Sequence, residues 1–179
     1  MTAGFDVITI AELTLDHSQT LARILSTDEL LHARNSLQPI REVLPADYYA
    51  TCQGWAKRRR AVCYAVLLQG EAIGSISLCD IDLVRKSART GYWLASEHWG
   101  KGYATQMFSL LIEAASEQGI ETLGCSIQVG NEPSLALWRR WGATFTEAEG
   151  RVTPELKIGP RGALRGTGGV LDDAQEVKQ

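Results

Sequence analysis

Residues 99–104, Trp-Gly-Lys-Gly-Tyr-Ala, combine two closely spaced glycines with a lysine at the start of a predicted helix. Glycine lets a ligand approach the backbone and tolerates left-handed conformations. The first amides of a helix have no intrahelical acceptor, and the helix dipole makes this end positive. The segment therefore predicts a backbone cradle for an anionic group such as a phosphate.

The spacing of these residues excludes two common phosphate-binding motifs. A dinucleotide-binding fingerprint needs a third glycine where this chain has Thr105. A P-loop needs Gly-Lys followed by Ser or Thr, but Lys101 is followed by Gly102. The pattern that is left is Gly-x-Gly-x-Ala, from Gly100 to Ala104.

This pattern resembles the pyrophosphate-binding turn of the GNAT superfamily of acetyl-CoA-dependent N-acetyltransferases. That turn is usually written Arg/Gln-x-x-Gly-x-Gly/Ala, so Gly102 and Ala104 match, whereas Trp99 departs from the first position. The wider string GYWL…WGKGYAT is most similar to the branch that includes ribosomal-protein N-terminal acetyltransferases, in which Trp is common at that place.

A second block, about 30 residues downstream, supports the resemblance. The family has Asn-x-x-Ser/Ala, an apolar helix and Gly-Phe there. This chain has Asn131, Ser134 and Gly142 at the matching positions, and Ala143 replaces the usual aromatic residue. Asn131 is also a predicted helix cap. The resemblance covers roughly residues 5–158, and the specific motifs lie within 91–142.

The resemblance implies an α/β fold in which helices flank a mixed, mainly antiparallel sheet, and the strands 89–95 and 122–128 splay apart. It implies acetyl-CoA as co-substrate and direct attack of an amine on the thioester, without an acyl-enzyme. It also implies a set of CoA-binding residues for the pantetheine arm, the thioester carbonyl and the pyrophosphate: Leu94, Ala95, Trp99, Gly100, Lys101, Gly102, Tyr103, Ala104, Thr105 and Asn131.

The general acid and the general base are less well indicated. Many family members place a tyrosine on the last helix to protonate the leaving thiolate, but the matching residue is Trp138, whose indole N–H is no such acid. Ser134 is the nearest hydroxyl by helical spacing and is the candidate acid. Close relatives often have a glutamate where this chain has Arg89, so the candidate bases are carboxylates near strand ends, Glu97 and Asp82.

A weak base predicts an acceptor amine of low pKa. A lysine amine with a pKa of about 10.4 is neutral about 0.04% of the time at pH 7, whereas an α-amine with a pKa of about 7.7–8.0 is neutral about 10–15% of the time. We therefore expect a peptide or protein α-amine, or a small-molecule amine. The acceptor surface is expected within residues 27–44, which include Asp28, Glu29, His32, Arg34 and Asn35. His98, beside the loop, is expected to have no catalytic role.

Strands and helices predicted from hydrophobic periodicity must position these residues. The predicted strands span 5–15, 61–68, 72–83, 89–95, 122–128 and 151–158, with Gly74 marking a bulge or close packing. The predicted helices span 16–26, capped near Asp16, then 45–60, 103–118 and the segment after Asn131. A less regular helical stretch lies within 28–44. Pro154 predicts that the last strand is an edge, at which two copies could pair as a homodimer.

The composition is typical of a single globular domain. The chain has 179 residues, of which 45% are hydrophobic and 22% charged. We assign residues 1–158 to the catalytic domain and the glycine-rich residues 159–179 to a weakly structured tail. A net charge of −3 argues against nucleic acid and anionic membranes as partners. Because no signal peptide is evident and the four cysteines lack metal-ligand spacing, we expect a cytoplasmic protein without a metal.

Two alternatives to an acetyltransferase fit the same residues. Arg89 and Trp138, which stand where relatives carry catalytic groups, are compatible with a catalytically inactive, CoA-binding regulatory module. The sequence also does not distinguish acetyl-CoA from another acyl donor such as succinyl-CoA. Turnover with a panel of amines and acyl donors separates these readings.

Overall fold

The computed structural model describes residues 7–35 and 40–159. The described residues form one mixed sheet, in which β1 to β5 are neighbours in chain order. One side of β8 pairs with β5 near its C-terminal end and with β6 near its N-terminal end. The other side of β8 pairs with β7. The strands are β1 Ile8–Glu12, β2 Val62–Leu68, β3 Glu71–Asp82, β4 Ser87–Leu94, β5 Thr122–Gly124, β6 Ile127–Gln128, β7 Thr144–Ala148 and β8 Arg151–Lys157. The helices are α1 Leu15–Thr27, α2 Glu29–Asn35, α3 Pro45–Arg59, α4 Tyr103–Glu117 and α5 Glu132–Arg140, and a 3-10 turn spans Ser96–His98.

Hydrophobic side chains on the two faces of the sheet form two clusters. One contains buried residues of α4 and α5, among them Phe108 and Trp138, and the other contains buried residues of α1 and α2, among them Leu21. Successive side chains of a strand point to opposite faces, so β4 contributes to both clusters. Tyr92 packs with α4 and α5, whereas its neighbour Trp93 packs with the cluster of α1 and α2.

The strands β4 and β5 separate after a short parallel pairing. They pair only from Ser87 opposite Thr122 to Arg89 opposite Gly124. Beyond that point the chain leaves β5 and re-enters the sheet as β6, which pairs with β8 and not with β4. The splay that the resemblance implied is confirmed, and it leaves a gap beside the second half of β4.

Gly74 allows β3 and β4 to approach each other closely. A Cβ atom at this position would lie 2.3 Å from the carbonyl oxygen of Trp93, which real Cβ atoms do not tolerate. The register between β2 and β3 also shifts beside Gly74: Val66 pairs with Gly74 and Leu67 pairs with Ala72, so Ile73 is an extra residue in β3. Both explanations offered for Gly74, a bulge and close packing, therefore apply.

The prediction that α1 is capped near Asp16 is wrong. Thr14 has an extended backbone and its Oγ1 accepts from the amide of His17 at 3.3 Å, while Nδ1 of His17 accepts from the amide of Thr14. This reciprocal capping box satisfies two helix-end donors, and α1 begins at Leu15, one residue earlier than predicted. The predicted helix 45–60 is confirmed as α3, with Pro45 in its first turn and Arg60 in the left-handed conformation that ends it.

The prediction that the last strand is an edge is also wrong. β8 lies inside the sheet, with β5 and β6 on one side and β7 on the other. Pro154 is tolerated because it falls between Val152, which pairs with β6, and Glu155, which pairs with β5, so neither strand needs its missing N–H. The edge is β7, which the sequence analysis missed because its five residues are mostly polar and exposed. A homodimer stays a prediction, but it cannot use β8 as a free edge.

Parts of the predicted elements lie outside the described residues. These parts are the start of the first predicted strand, some of the segment 28–44, and nearly all of the predicted tail. Gly159, the last described residue, accepts a hydrogen bond at 3.3 Å from the Ser116 hydroxyl of α4. Within the described ranges, no helix is long and apolar enough to cross a bilayer.

Candidate active site

A cavity of about 400 Å³ lies where β4 separates from β5 and β6. Its lining includes Leu31 and Arg34 of α2 from one helical layer, and Met107 of α4 and Leu137 of α5 from the other. Because both layers contribute, the cavity crosses the sheet.

The glycine-rich segment presents open backbone at one side of this cavity. Gly100 and Gly102 have φ angles of +71° and +80°, and no atom lies within 4 Å of a Cβ placed on either residue. Gly102 is the N-cap of α4, and its carbonyl accepts from the amides of Thr105 and Gln106 at 3.1 and 3.3 Å. In general, the first amides of an α-helix point out of its N-terminal end and are not needed by the helix itself. Open space over helix-end donors fits a pyrophosphate, and a side chain at Gly102 would fill that space.

Trp99 fixes the turn that leads from β4 to the cradle. Its indole Nε1 donates to the carbonyl oxygen of Leu94 at 2.9 Å, and the amide of Ala95 donates to the carbonyl oxygen of Ile73 at 2.9 Å. The residue that departs from the family pattern therefore ties the turn to the strand end. The Ala95 amide already has an acceptor in this arrangement.

Seven of the ten predicted CoA-binding residues line the cavity, and so does the candidate acid Ser134. The residues that line it are Leu94, Trp99, Gly100, Gly102, Tyr103, Ala104, Asn131 and Ser134. The predicted residues that do not line it are Ala95, Lys101, Thr105 and Glu97. Asn131 also caps α5, because its Oδ1 accepts from the amide of Ser134 at 3.4 Å.

Glu97 lies outside the cavity, although its neighbour His98 lines it. The Glu97 carboxylate is 73% exposed, beside a separate depression near α1 and α2, and lies 3.7 Å from Nε2 of His98. Nδ1 of His98 is buried and has no hydrogen-bond partner among the described residues. The Glu97 carboxylate therefore does not contact the cavity itself, but it lies beside the imidazole of His98, which does.

Tyr92 is a site residue that the sequence analysis missed. Its hydroxyl lies 2.6 Å from the Ser134 hydroxyl, and both residues line the cavity. Burial raises the pKa of Tyr92 to about 12, so the hydroxyl keeps its proton at neutral pH. The family's helix position is held by Trp138, which is buried edge-to-face against Phe108 with a centroid distance of 4.9 Å. Strand β4 thus supplies a tyrosine hydroxyl beside the α5 serine.

Cys125 lines the cavity but is a poor nucleophile. Burial raises the pKa of its thiol to about 12, which leaves the thiolate scarce at neutral pH. This agrees with direct transfer rather than an acyl-cysteine.

The two guanidinium groups of the lining, those of Arg34 and Arg151, are cationic. His98 also lines the cavity, and no Asp or Glu lines it among residues 7–35 and 40–159. The guanidinium carbon of Arg34 lies 4.1 Å from the ring centroid of Trp99. Over the same residues, no group of three or more His, Cys, Asp or Glu side chains is placed to hold a metal ion.

Comparison with known proteins decides the family. Residues 8–144 match the family model described as the acetyltransferase (GNAT) domain. This chain belongs to the GNAT acetyltransferase family. The enzyme is 32% identical over 157 residues to the putative ribosomal N-acetyltransferase YdaF of Bacillus subtilis, an alignment that covers 86% of this chain and 79% of that protein.

Two further comparisons place this GNAT acetyltransferase among enzymes with different acceptors. It is 30% identical over 100 residues to an L-methionine sulfoximine/L-methionine sulfone acetyltransferase of Pseudomonas aeruginosa, covering 52% of this chain and 58% of that protein. Its fold matches microcin C7 self-immunity acetyltransferase MccE, solved in complex with acetyl-CoA and AMP, with a TM-score of 0.72 and 22% identity over 86% of this chain and 93% of that one.

These findings confirm the predicted family, fold and co-substrate. The protein is an acetyl-CoA-dependent N-acetyltransferase, and its acceptor is an amine.

Proposed function

We propose that acetyl-CoA binds on the α4 and α5 side of the cavity and that the amine enters from the α2 side. The observation that supports this division is the cavity itself, which crosses the sheet at the gap between β4 and β5. Residues 99–105 and Asn131 hold the pyrophosphate and the pantetheine arm on the first side. The acceptor nitrogen attacks the thioester carbon, the C–N bond forms, and the C–S bond breaks with its electron pair on sulfur.

Tyr92 and Ser134 stabilise the departing sulfur as a pair. When the Tyr92 hydroxyl donates to Ser134 over their 2.6 Å contact, the hydrogen of Ser134 is free to point into the cavity. A free thiol has a pKa near 8.5, whereas Tyr92 has a pKa of about 12. The departing thiolate is therefore too weak a base to deprotonate Tyr92. It donates hydrogen bonds to the thiolate, and the proton that finally neutralises the sulfur comes from the acceptor nitrogen.

The acceptor is a peptide or protein α-amine, or a small-molecule amine of similarly low pKa. No carboxylate lines the described cavity, so deprotonation of the amine is weakly assisted. An α-amine needs less help, because about 10–15% of it is neutral at pH 7, against about 0.04% of a lysine side chain.

A matched pair of peptides tests this proposal. One has a free α-amine and an acetylated lysine, and the other has a blocked α-amine and a free lysine. With acetyl-CoA at pH 7, we expect kcat/KM for the free α-amine to be at least about 100-fold higher, following the neutral fractions. Equal turnover of the two peptides contradicts it.

Thermal shift with acetyl-CoA, CoA and NAD tests the cofactor side independently. A ligand at about 100 times its Kd stabilises by about 2.7 kcal/mol, which raises the Tm of a chain of this size by roughly 5–11 °C. We expect this rise with both CoA forms and not with NAD. No rise with either CoA form contradicts the proposed cradle.

A further inference from the structure

We propose that the acceptor amine also carries a carboxylate and that Arg34 binds this carboxylate at the α2 side of the cavity. The inference rests on the proposed function, because it names the acceptor class for the same site. It is carried by the charge of the cavity lining and by the way in which Arg34 is held.

The lining favours an anionic acceptor over a cationic one. The protein has a net charge of −3, yet the cavity is lined by the guanidinium groups of Arg34 and Arg151 and by no Asp or Glu of the described residues. In a partly desolvated cleft, charges of one sign attract the opposite charge and repel their own. A polyamine acceptor would bring like charges together, whereas a carboxylate would complement them.

Within residues 7–35 and 40–159, the guanidinium group of Arg34 contacts the Trp99 ring and forms no ion pair. Its guanidinium stacks on Trp99 at 4.1 Å, a cation–π contact that uses one flat face and leaves the N–H edge available. No Asp or Glu among the described residues lies within 4.0 Å of its nitrogen atoms. A planar guanidinium in this state can bind a carboxylate through two parallel hydrogen bonds.

Asp28 fixes the helix that carries Arg34. Its Oδ1 accepts from the amide of Leu31 at 3.0 Å and its Oδ2 accepts from the amide of Ser96 at 2.7 Å. Partial burial raises the pKa of Asp28, but the hydrogen bonds from Ser96 and Leu31 outweigh it and hold the pKa below its usual range. The ionised carboxylate therefore ties α2 to the turn after β4.

The position of Arg34 on the sheet favours the acceptor over the cofactor. Leu31, one turn earlier on α2, packs in the cluster of α1 and α2, on the face of the sheet opposite to α4. Arg151 lies on the same face as Arg34, because its neighbour Val152 packs with α4 and α5 and successive strand residues alternate. The α2 face thus presents two guanidinium groups beside the gap, Arg34 near β4 and Arg151 on β8.

Matched acceptors test the proposal in the full-length enzyme. The peptide arm compares Ala-Glu-amide with Ala-Gln-amide, and the small-molecule arm compares L-alanine with L-alaninamide, each with acetyl-CoA. The members of a pair have nearly the same shape and differ by one carboxylate. We expect kcat/KM to be about tenfold or more higher for the acidic member of at least one pair, the size typical of a hydrogen-bonded charge. The pair that shows the preference identifies the acceptor as a peptide or as a free amino acid.

Three variants assign the preference to Arg34. Arg34→Met keeps an apolar chain on Trp99 and removes the charge, so we expect the ratio within the pair to fall to about threefold or less. Arg34→Lys keeps the charge but loses the two parallel N–H donors of the guanidinium, and is expected to retain an intermediate preference. The control is Arg140→Met, because Arg140 is an exposed arginine on α5 that does not line the cavity. It is expected to leave the ratio unchanged.

The outcomes separate this inference from the proposed function. Acetylation without preference for the acidic member, or a preference that Arg34→Met leaves intact, overturns the inference while the function stands. A higher KM for acetyl-CoA in Arg34→Met with an unchanged acceptor ratio also overturns it, because Arg34 would then serve the cofactor. If acetyl-CoA binds but no amine of the α-amine, lysine and acidic panels is acetylated, the proposed function fails, and the inference fails with it.

Discussion

The two sides of the cavity are built in different ways. The proposed pyrophosphate cradle on the cofactor side consists of consecutive residues, 99–105, whose backbone is shaped by Gly100 and Gly102 and which include the first amides of α4. The α2 side is assembled from side chains of distant elements, Arg34 of α2, Trp93 of β4 and Arg151 of β8. Recognition of the cofactor is thus a local property of the chain, whereas recognition of the acceptor depends on the tertiary fold.

This difference predicts which substitutions affect one substrate only. A change in the cradle alters the backbone that meets acetyl-CoA, and it leaves the α2 side intact. A change at the α2 side alters one charge and leaves the helix-end donors in place. Tyr92 and Ser134 lie on the α4 and α5 side, where we propose that the thioester binds, and their substitution is expected to affect the chemical step rather than acceptor binding.

The largest effect is expected for Gly102→Glu. The new carboxylate would occupy the open space over the cradle and repel the pyrophosphate, and like charges brought together cost several kcal/mol, or more than about 100-fold in affinity. Titration calorimetry with acetyl-CoA measures this. The control is Gly150→Glu, because Gly150 also has a positive φ, +72°, and open space, but lies in the β7–β8 turn. Gly150→Glu should lower the Tm about as much as Gly102→Glu does and should bind acetyl-CoA normally. Unchanged affinity of Gly102→Glu for acetyl-CoA contradicts the proposed cradle.

A smaller effect is expected for Tyr92→Phe and Ser134→Ala. Each removes one member of the hydroxyl pair, so we expect kcat to fall about 10- to 100-fold while the KM for acetyl-CoA changes little. Because the two hydroxyls act as one unit, the double variant should be about as slow as the slower single variant. Multiplicative effects in the double variant would show that the hydroxyls act independently.

Tyr64→Phe is the matched control for this pair. Tyr64 is also a largely buried tyrosine, but its hydroxyl accepts from Nε2 of Gln118 at 3.2 Å and does not line the cavity. Its substitution is expected to lower stability slightly and to leave kcat unchanged.

The smallest effect is expected for Cys125→Ser, which we predict to change kcat/KM by less than about threefold. Burial raises the pKa of Cys125 to about 12, so the thiolate is only about 0.01% of the population at pH 8 and becomes abundant only as the pH approaches 12. Mass-spectrometric alkylation at pH 8 should label this thiol far more slowly in the folded enzyme than in denaturant. Fast labelling, or loss of turnover in the serine variant, would point to a covalent role.

The sequence analysis succeeded where neighbouring residues share a local pattern. The strand, turn and helix around Gly102 were predicted because alternation, glycine and helical spacing follow one another along the chain. The interior position of β8 was not predicted, because strand order depends on partners far away in sequence. Pro154 suggested an edge because proline cannot donate a backbone hydrogen bond to a neighbouring strand. Pro154 instead lies opposite the break between β5 and β6, where no strand requires that hydrogen bond.

The candidate site shows the same difference between features set by neighbouring residues and features set by distant ones. Ser134 was nominated from helical spacing, but its partner Tyr92 was assigned only to a strand. Their 2.6 Å contact requires that Tyr92 of β4 and Ser134 of α5 both point towards the gap where β4 and β5 separate. Glu97 was nominated because it follows a strand end, and the turn after β4 instead places it on the outer side, beside a separate depression.

By itself, the sequence determined the family, the co-substrate and the backbone that we propose to hold it, because glycine conformations and helix ends are set by residues close together in the chain. The tertiary structure decided which hydroxyls face each other, which carboxylates are kept out of the cavity and which guanidinium stands at the acceptor side. These features depend on the packing of two helical layers against a splayed sheet. Such packing brings together residues that no local pattern connects.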